Sequence, residues 1–461
     1  MIFMKKMFIL LILSLVMGIT VFGENVDILI KNATILTMNE KKEVIENGVI
    51  VIKNSKIKAI GNEKLLSKYK GKKVIDAAKD IVMPGFINTH THVSMVPFRS
   101  LADDVPDRLR RYIFPLENKL VSRELVYKGA IYGILEMIST GTTTFADMYY
   151  FEDEVAKAAE LIGMRGVLGE TVIKNPVADA KEPYGGIEYA EKFIKQYKNS
   201  QLVTPAFAPH APYTVEEEYL KKVTELSKKY NVPVLMHIAE TENEVKQIKE
   251  KYNKTVIEYL DSIGFLTDKV VAGHVIFVND SDIKILKERN VGIAHNMVAN
   301  IKSAKGVSPA LKMFDEGLRV GLGTDGPMSG NTLDLVSQLG YVAKVHKLNS
   351  KNRAAMPPYK VVEMATIGGA KALHMEDVIG SLEEGKLADI IIIDTKSLNM
   401  QPIYDYYSAI VYSMLPGDVK TTIINGKIIM ENKKIKTYDV EKAKKDLKTL
   451  ENTVKKEAEK L

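Results

Sequence analysis

Two histidines one residue apart, His90 and His92, close the run Pro84-Gly85-Phe86-Ile87-Asn88-Thr89-His90-Thr91-His92. The apolar stretch Ile81-Val82-Met83 precedes it. In a strand, residues i and i+2 point to the same side, so both imidazoles project together from the end of a buried strand. Two imidazoles on one face are half of a metal site. A lone His-x-His also arises by coincidence on a surface or in a core, so the other histidines decide its weight. The chain has eight, at 90, 92, 210, 237, 274, 295, 346 and 374. Six of them fall at or just after the C-terminal ends of segments that read as strands, which a random scatter does not produce.

His237 ends Val232-Pro233-Val234-Leu235-Met236, and Glu240 follows three residues later. A metal-binding imidazole with a nearby carboxylate that handles protons is a recurring division of labour in metal-dependent hydrolysis. Glu240 equally suits the first turn of a helix beginning near Thr241, where a carboxylate favours the dipole. Asp325 ends Arg319-Val320-Gly321-Leu322-Gly323-Thr324. It can ligate a metal and accept the proton of a bound water, or simply form a turn with Gly326. His274 closes Ala272-Gly273-His274. It can hold an attacking water or stabilise a tetrahedral intermediate, or be a hydrogen-bonded core histidine. Together His90, His92, His237 and Asp325 make a set of three nitrogens and one oxygen with one position open for water. Such a set suits one catalytic Zn²⁺, with Fe²⁺ as the alternative. The ion would lower the pKa of its water to about 7. No lysine lies on Leu202–Ala208, which argues against a second metal bridged by a modified lysine there.

The elements that must position these groups come in two textures. From Ile81, apolar strand-like runs alternate with helical stretches: Ile81–Ile87, Thr143–Met148, Arg165–Glu170, Leu202–Ala208, Val232–His237, Val270–His274, Gly292–His295 and Arg319–Gly323. Eight strands alternating with helices predict an α/β chain folded as a (β/α)₈ barrel, whose active site lies at the C-terminal ends of the strands. Short runs rich in Ile, Val and Thr flank this region on both sides: Val26–Ile30, Ala33–Met38, Gly48–Ile52 and Ile57–Ile60 before it, and Gly380–Lys386, Ala388–Asp394, Thr421–Ile424 and Lys427–Met430 after it, with Asn425-Gly426 as a hairpin turn. They predict one small β-sandwich domain built from the N- and C-terminal segments. The expected divisions are 24–80 and 376–437 for the sandwich, 81–375 for the barrel, and 438–461 for a Lys/Glu-rich helix.

Composition bounds the rest. Of 461 residues 46% are hydrophobic and 26% charged, enough to bury a large core. The net charge of +6 is scattered rather than gathered into a basic stripe with aromatics, which speaks against a nucleic-acid partner. The absence of cysteine excludes disulfides, thiol nucleophiles and thiolate ligands. Lys5 and Lys6 precede an apolar run from Met7 to Phe22 that ends at Val21-Phe22-Gly23. Residues 1–23 therefore read as a signal peptide with Glu24 as the new N-terminus, directing the chain to the periplasm or outside the cell; an uncleaved membrane anchor is the alternative. From Glu24 onward no segment could span a bilayer as a helix.

With these motifs the chain resembles the amidohydrolase superfamily, in the branch of 5′-methylthioadenosine/S-adenosylhomocysteine deaminases and chlorohydrolase-like enzymes. The resemblance covers roughly residues 26–435. It rests on the His90 and His92 run, Phe114-Pro115-Leu116-Glu117, Gly141-Thr142-Thr143-Thr144, Pro209-His210-Ala211-Pro212-Tyr213, His237-Ile238-Ala239-Glu240-Thr241, His295-Asn296 and Gly323-Thr324-Asp325-Gly326. It implies that His90, His92, His237 and Asp325 bind one divalent metal. Glu240 would shuttle a proton to the ring, His274 would contact the water or the oxyanion, and Glu117 and His210 would hydrogen-bond a ribose. The implied reaction is attack of metal-bound hydroxide on an amino-bearing ring carbon of an adenosine-like substrate, with release of ammonia. Another amino- or halo-heterocycle (a pterin, guanine or triazine) or a cyclic amide is the alternative substrate. A non-catalytic paralogue should have lost ligands that this chain keeps. The family commonly forms homo-oligomers. Three positions depart from the deaminase pattern: Arg108 replaces a Trp, and Glu170 and Ile187 replace two arginines. Losing two positive charges there disfavours a substrate that carries an amino-acid carboxylate.

Overall fold

The computed structural model describes residues 23–461. The expected signal peptide lies, but for Gly23, outside the described residues. Eight parallel strands close into a barrel: β1 (Phe86–Thr91), β2 (Thr142–Tyr149), β3 (Arg165–Val172), β4 (Val203–Pro209), β5 (Val234–Ile238), β6 (Val270–His274), β7 (Gly292–His295) and β8 (Arg319–Leu322). Each pairs with the next in the chain, and β8 closes on β1 through Leu322 and Asn88. The crossovers are helices whose starts are set by local chemistry. Ser122 caps Arg123–Ser139 by accepting from the Leu125 N–H, and Thr241 caps Glu242–Tyr252 by accepting from Glu244. Small and branched residues, among them Ile87, Ala146, Val167, Ala206, Leu235, Val271 and Ala294, share one apolar cluster along the strands. Ala370 and Leu373, from the segment after Ile367, join that cluster. Functional side chains are therefore left to the C-terminal rim.

The remaining strands form one nine-stranded, mostly antiparallel sheet. Its N- and C-terminal limbs meet where Ile390–Ile393 runs antiparallel to Ile81–Pro84. The sandwich expected from these segments is thus a single continuous sheet whose limbs share a core. Ile28, Ile30, Ile35, Ile50 and Ile52 pack in one cluster with Val82, Ile390, Ile392 and Ile423. The alternate residues Ile391 and Ile393 face the barrel's core instead, as the period of two requires.

Two expectations are corrected here, and one strand that the sequence reading did not contain is added. The run Ile81–Ile87 is two strands, because Ile81–Pro84 belongs to the sheet and the barrel begins at Phe86. Gly85 makes the break: its N–H donates to Asp389 O, and a Cβ there would lie 2.1 Å from Thr143 Cγ2. Gly380–Lys386 is not a strand, since Gly380 and Gly385 both sit at φ +91°. Tyr69–Asp76, an eight-residue segment with three lysines and no buried residue to mark an alternation, is a strand parallel to Glu24–Leu36. A buried ion pair fastens sheet to barrel, with Arg165 of β3 donating to Asp389 from Nε (2.8 Å) and Nη2 (3.2 Å). Asp389 also accepts from the Asn425 N–H at 2.6 Å. The C-terminal helix Val440–Ala458 packs on Arg123–Ser139. Among the described residues no helix is long and apolar enough to cross a membrane.

Candidate active site

At the rim, the side chains of His90, His92, His237, His274 and Asp325 converge. The ring centroids of His90 lie 5.0 Å from His92, 4.9 Å from His237 and 5.4 Å from His274. Asp325 Oδ1 is 3.2 Å from His92 Nε2 and 3.6 Å from His90 Nε2. One ligand atom from each of His90, His237, His274 and Asp325 falls within 4.8 Å of the others. The expected quartet has His92 in place of His274. Both rings reach the centre, but His92 is the closer to Asp325 and to His237.

The donor set fits a divalent cation. His92 Nδ1 lies 2.6 Å from Met148 O, and His237 Nδ1 lies 2.9 Å from His210 O. A carbonyl only accepts, so each Nδ1 carries the proton and each Nε2 carries a lone pair. Those two Nε2 atoms face each other at 3.3 Å. Two lone pairs so placed repel unless a proton or a cation lies between them. Two nitrogens bound tetrahedrally at ordinary zinc–nitrogen lengths sit about 3.3 Å apart. His90 Nε2 and His274 Nε2 are buried with no hydrogen-bond partner among the described residues. Burial lowers the pKa of His90 to about 4 and that of His237 well below the ordinary value, so both are neutral donors at pH 7. His92 is the exception. Burial pushes its pKa down, but Asp325 raises it to about 9, so in the metal-free protein a proton occupies the place a cation would take.

Glu240 stands beside this centre, its Oε1 3.6 Å from His274 Nε2. The same oxygen accepts from Lys305 Nζ at 2.5 Å. Burial pushes the Glu240 carboxyl up, but His274 and Lys305 outweigh it and hold the pKa at about 2. The backbone is fixed as well, because Glu244 accepts from the Ala239 and Glu240 N–H groups, each at 2.8 Å. His274 is oriented by Asn300, whose Oδ1 lies 2.8 Å from Nδ1. Left-handed backbone recurs at Ala239 (φ +52°), His274 (+72°), Val275 (+47°) and Asp325 (+59°). Strain of this kind, costly at non-glycine residues, clusters where side chains must be aimed against local preference.

The amidohydrolase family profile matches residues 81–429, most of the chain. The chain belongs to the amidohydrolase family. It is 40% identical over 403 residues to a 5-methylthioadenosine/S-adenosylhomocysteine deaminase of Thermodesulfovibrio yellowstonii, covering 86% of this chain and 92% of that one. It is 40% identical over 427 residues to a 5′-deoxyadenosine deaminase of Methanosarcina acetivorans, covering 92% and 97%. Among solved structures it is similar to an adenosine deaminase from Xanthomonas campestris with bound zinc, at TM-score 0.92 and 29% identity, covering 94% of this chain and all of that one.

In this amidohydrolase the expected ribose contacts flank the centre. His210 follows β4, its ring 5.0 Å from that of His237 and its Nδ1 3.0 Å from Thr214 Oγ1. Burial lowers its pKa to about 4. Glu117, on the helix Phe114–Leu120, accepts from Tyr149 OH at 2.6 Å, and Tyr149 lies 6.4 Å from the His92 ring. Glu117 retains some solvent exposure, yet burial lifts its pKa to about 7 against the pull of Tyr149 and His92. The three departing positions offer the cleft no free cation. Arg108 donates to Leu101 O and Met328 O and pairs with Asp103 at 3.1 Å. Glu170 is fully buried, accepting from the Glu152 N–H, and Ile187 packs in the core. Sequence reading missed Lys305, Glu244, Asn300 and Tyr149. Only Glu244 left a signal, the Thr241-x-x-Glu244 pattern of a helix start.

Proposed function

We propose that this amidohydrolase is a metal-dependent deaminase of an adenosine-like nucleoside, working by water attack on the amino-bearing ring carbon with release of ammonia. The observation that carries this reading is the cluster of imidazoles and Asp325 with a separate ionised carboxylate, Glu240, beside it. Its support is a chain 40% identical to two nucleoside deaminases over nearly their full lengths. His90, His92, His237 and Asp325 would hold one divalent ion, zinc by preference because the set is rich in nitrogen, with ferrous iron as the alternative. When bound, the ion supplies a water whose pKa is lowered and whose charge is stabilised.

The protein groups divide the proton work. Asp325 accepts the proton that water gives up on attack. Glu240, ionised at rest, first takes one proton from the water and carries it to the ring nitrogen beside the attacked carbon, and Asp325 passes the proton it accepts to the amino group, which leaves as ammonia. His274, with Nδ1 tied to Asn300, turns Nε2 toward the attacking water and the tetrahedral centre. Glu117 and His210 take the ribose hydroxyls. With Arg108 engaged by its own loops and Glu170 and Ile187 buried, a neutral 5′ substituent, such as methylthio or hydrogen, fits better than the carboxylate of S-adenosylhomocysteine. We propose further that the chain is exported from the cytoplasm. The basic residues, the apolar run and Val21-Phe22-Gly23 support this, and an N-terminus other than Glu24 on protein from the producing cell would refute cleavage there.

The test is ammonia release by zinc-loaded protein from 5′-methylthioadenosine, 5′-deoxyadenosine, adenosine and S-adenosylhomocysteine, with His237→Ala as blank. Turnover of the first two above S-adenosylhomocysteine is expected. Silence on all four with metal bound would move the substrate to another heterocycle.

A further inference from the structure

Among the described residues, Lys305 is the one lysine or arginine that pairs with the carboxylate expected to carry the proton. Its Nζ donates to Glu240 Oε1 at 2.5 Å, and the pair is largely enclosed, with 22% of the Lys305 and 17% of the Glu240 side chain exposed. Lys305 comes from the loop between the helices Met297–Lys302 and Ala310–Asp315. The base of that loop is built rather than slack. The Lys305 N–H donates to Asn300 O at 2.9 Å, and Asn300 Oδ1 accepts from the imidazole of His274. Ser308 Oγ donates to Val275 O at 2.7 Å, tying the loop to the residue after His274. On either side of Lys305, Ala304 (φ +52°) and Gly306 (φ +123°) take left-handed turns that swing it toward the cleft. One residue, Asn300, thus bonds to both Lys305 and His274, the two basic residues that lie within 4 Å of Glu240 Oε1.

A carboxylate offers two chemically equal oxygens about a terminal torsion that is broad and two-fold. A proton carrier gains from having one oxygen fixed, so that the other always meets the ring. An ammonium has three donors and no acceptor, so it binds one oxygen of Glu240 and cannot take over its task. Among the described residues no hydrogen bond reaches Oε2. We infer that Lys305 is a positioning residue for Glu240, holding Oε1 so that Oε2 alone is presented to the substrate. This rests on the reading of Glu240 as the proton carrier. Lys305 acts through Glu240, and its removal lowers kcat while leaving substrate affinity nearly intact.

The chain contains no cysteine, so Lys305→Cys introduces a single thiol. Alkylation with 2-bromoethylamine then restores an ammonium on a side chain the length of lysine. On whichever nucleoside the wild type deaminates, Lys305→Cys and Lys305→Met should lose about 10- to 100-fold in kcat, with KM changed far less. Alkylated Lys305→Cys should recover most of the loss; Lys305→Met, treated alike, should not. Undiminished kcat in the variants, or no recovery on alkylation while metal content and Tm match the wild type, overturns the inference. A second measurement needs no substrate. Thiol modification of Lys305→Cys by a cationic methanethiosulfonate, relative to a neutral one, should be favoured several-fold by the adjacent carboxylate, and Glu240→Gln should abolish that preference. Equal preference in both backgrounds overturns the contact. A wild type inactive on every nucleoside would refute the deaminase reading and leave this rate comparison as the test of Lys305.

Discussion

At the scale of single residues, the centre is defined by where protons already sit. The carbonyls of Met148 and His210 fix the Nδ1 protons of His92 and His237, which turns both Nε2 atoms inward. In the metal-free protein Asp325 keeps His92 protonated to about pH 9. A divalent ion must displace that proton, so binding at pH 7.5 should release about one proton per ion. Titration calorimetry in two buffers of different ionisation enthalpy measures this, and His92→Gln should remove most of the difference. No buffer dependence in the wild type would mean that the site is already deprotonated. A second consequence concerns Glu117, whose carboxyl burial lifts to about 7. Below that pH it is protonated in the free enzyme and is a poorer acceptor for ribose hydroxyls. KM should therefore rise as pH falls through 7, and Glu117→Gln should show a high KM with no such rise. The ligand-type residues were legible in the sequence because barrel strands deliver them at predictable places. Lys305 was not, because a loop lysine carries no periodic or spacing signal; only the fold brings it to Glu240.

At the scale of elements, strand and helix textures marked the barrel, and the errors fell where a strand changes sheets. Ile81–Ile87 reads as one apolar run because both halves are buried, yet Gly85 divides it between two sheets. Nothing in hydrophobic patterning distinguishes two buried strands end to end from one. The fastening of the two sheets was hidden for the same reason, since Arg165 and Asp389 are 224 residues apart in the chain. Both side chains are almost fully buried, at 4% and 2% exposure. Removing one partner leaves a charge uncompensated, so Asp389→Ala should cost about 3–5 kcal/mol in chemical denaturation. The joint replacement Arg165→Met with Asp389→Leu should cost clearly less than Asp389→Ala alone. If instead the double replacement costs the sum of the singles, the ion pair is not the fastening.

At the scale of the whole molecule, buried ionisable groups couple stability to pH. Burial raises the pKa of Glu117 and Glu244 to about 7, and those of Glu152 and Glu170 well above the ordinary value. An acid with a raised folded pKa binds more protons folded than unfolded, so on its account stability falls as pH climbs from about 4.5 through the folded value. His92, raised to about 9 by Asp325, acts in the same direction in the metal-free protein: its contribution is full below pH 6.5 and lost as pH rises through 9. Burial lowers His90, His210 and His346 to about 4, so their contribution is present above pH 6.5 and lost as pH falls toward 4. Between pH 6.5 and 9 the buried acids and His92 pull together without opposition from these histidines. The Tm of metal-free protein should therefore fall steadily across that window. Glu170 is the cleanest probe, because it lies outside the proposed ligand set. Its Oε2 accepts from the Glu152 N–H at 3.0 Å, while its Oε1 is buried with no hydrogen-bond partner among the described residues, and burial and the nearby Asp179 carboxyl favour its protonated form. A glutamine keeps the acceptor for the Glu152 N–H and is neutral at every pH. Glu170→Gln should raise stability by about 1–3 kcal/mol more at pH 8.5 than at pH 5, and so flatten the slope. A variant destabilised equally at both pH values would show that Glu170 is ionised in the folded protein, and that the position lost to the deaminase pattern carries a buried charge rather than a buried proton.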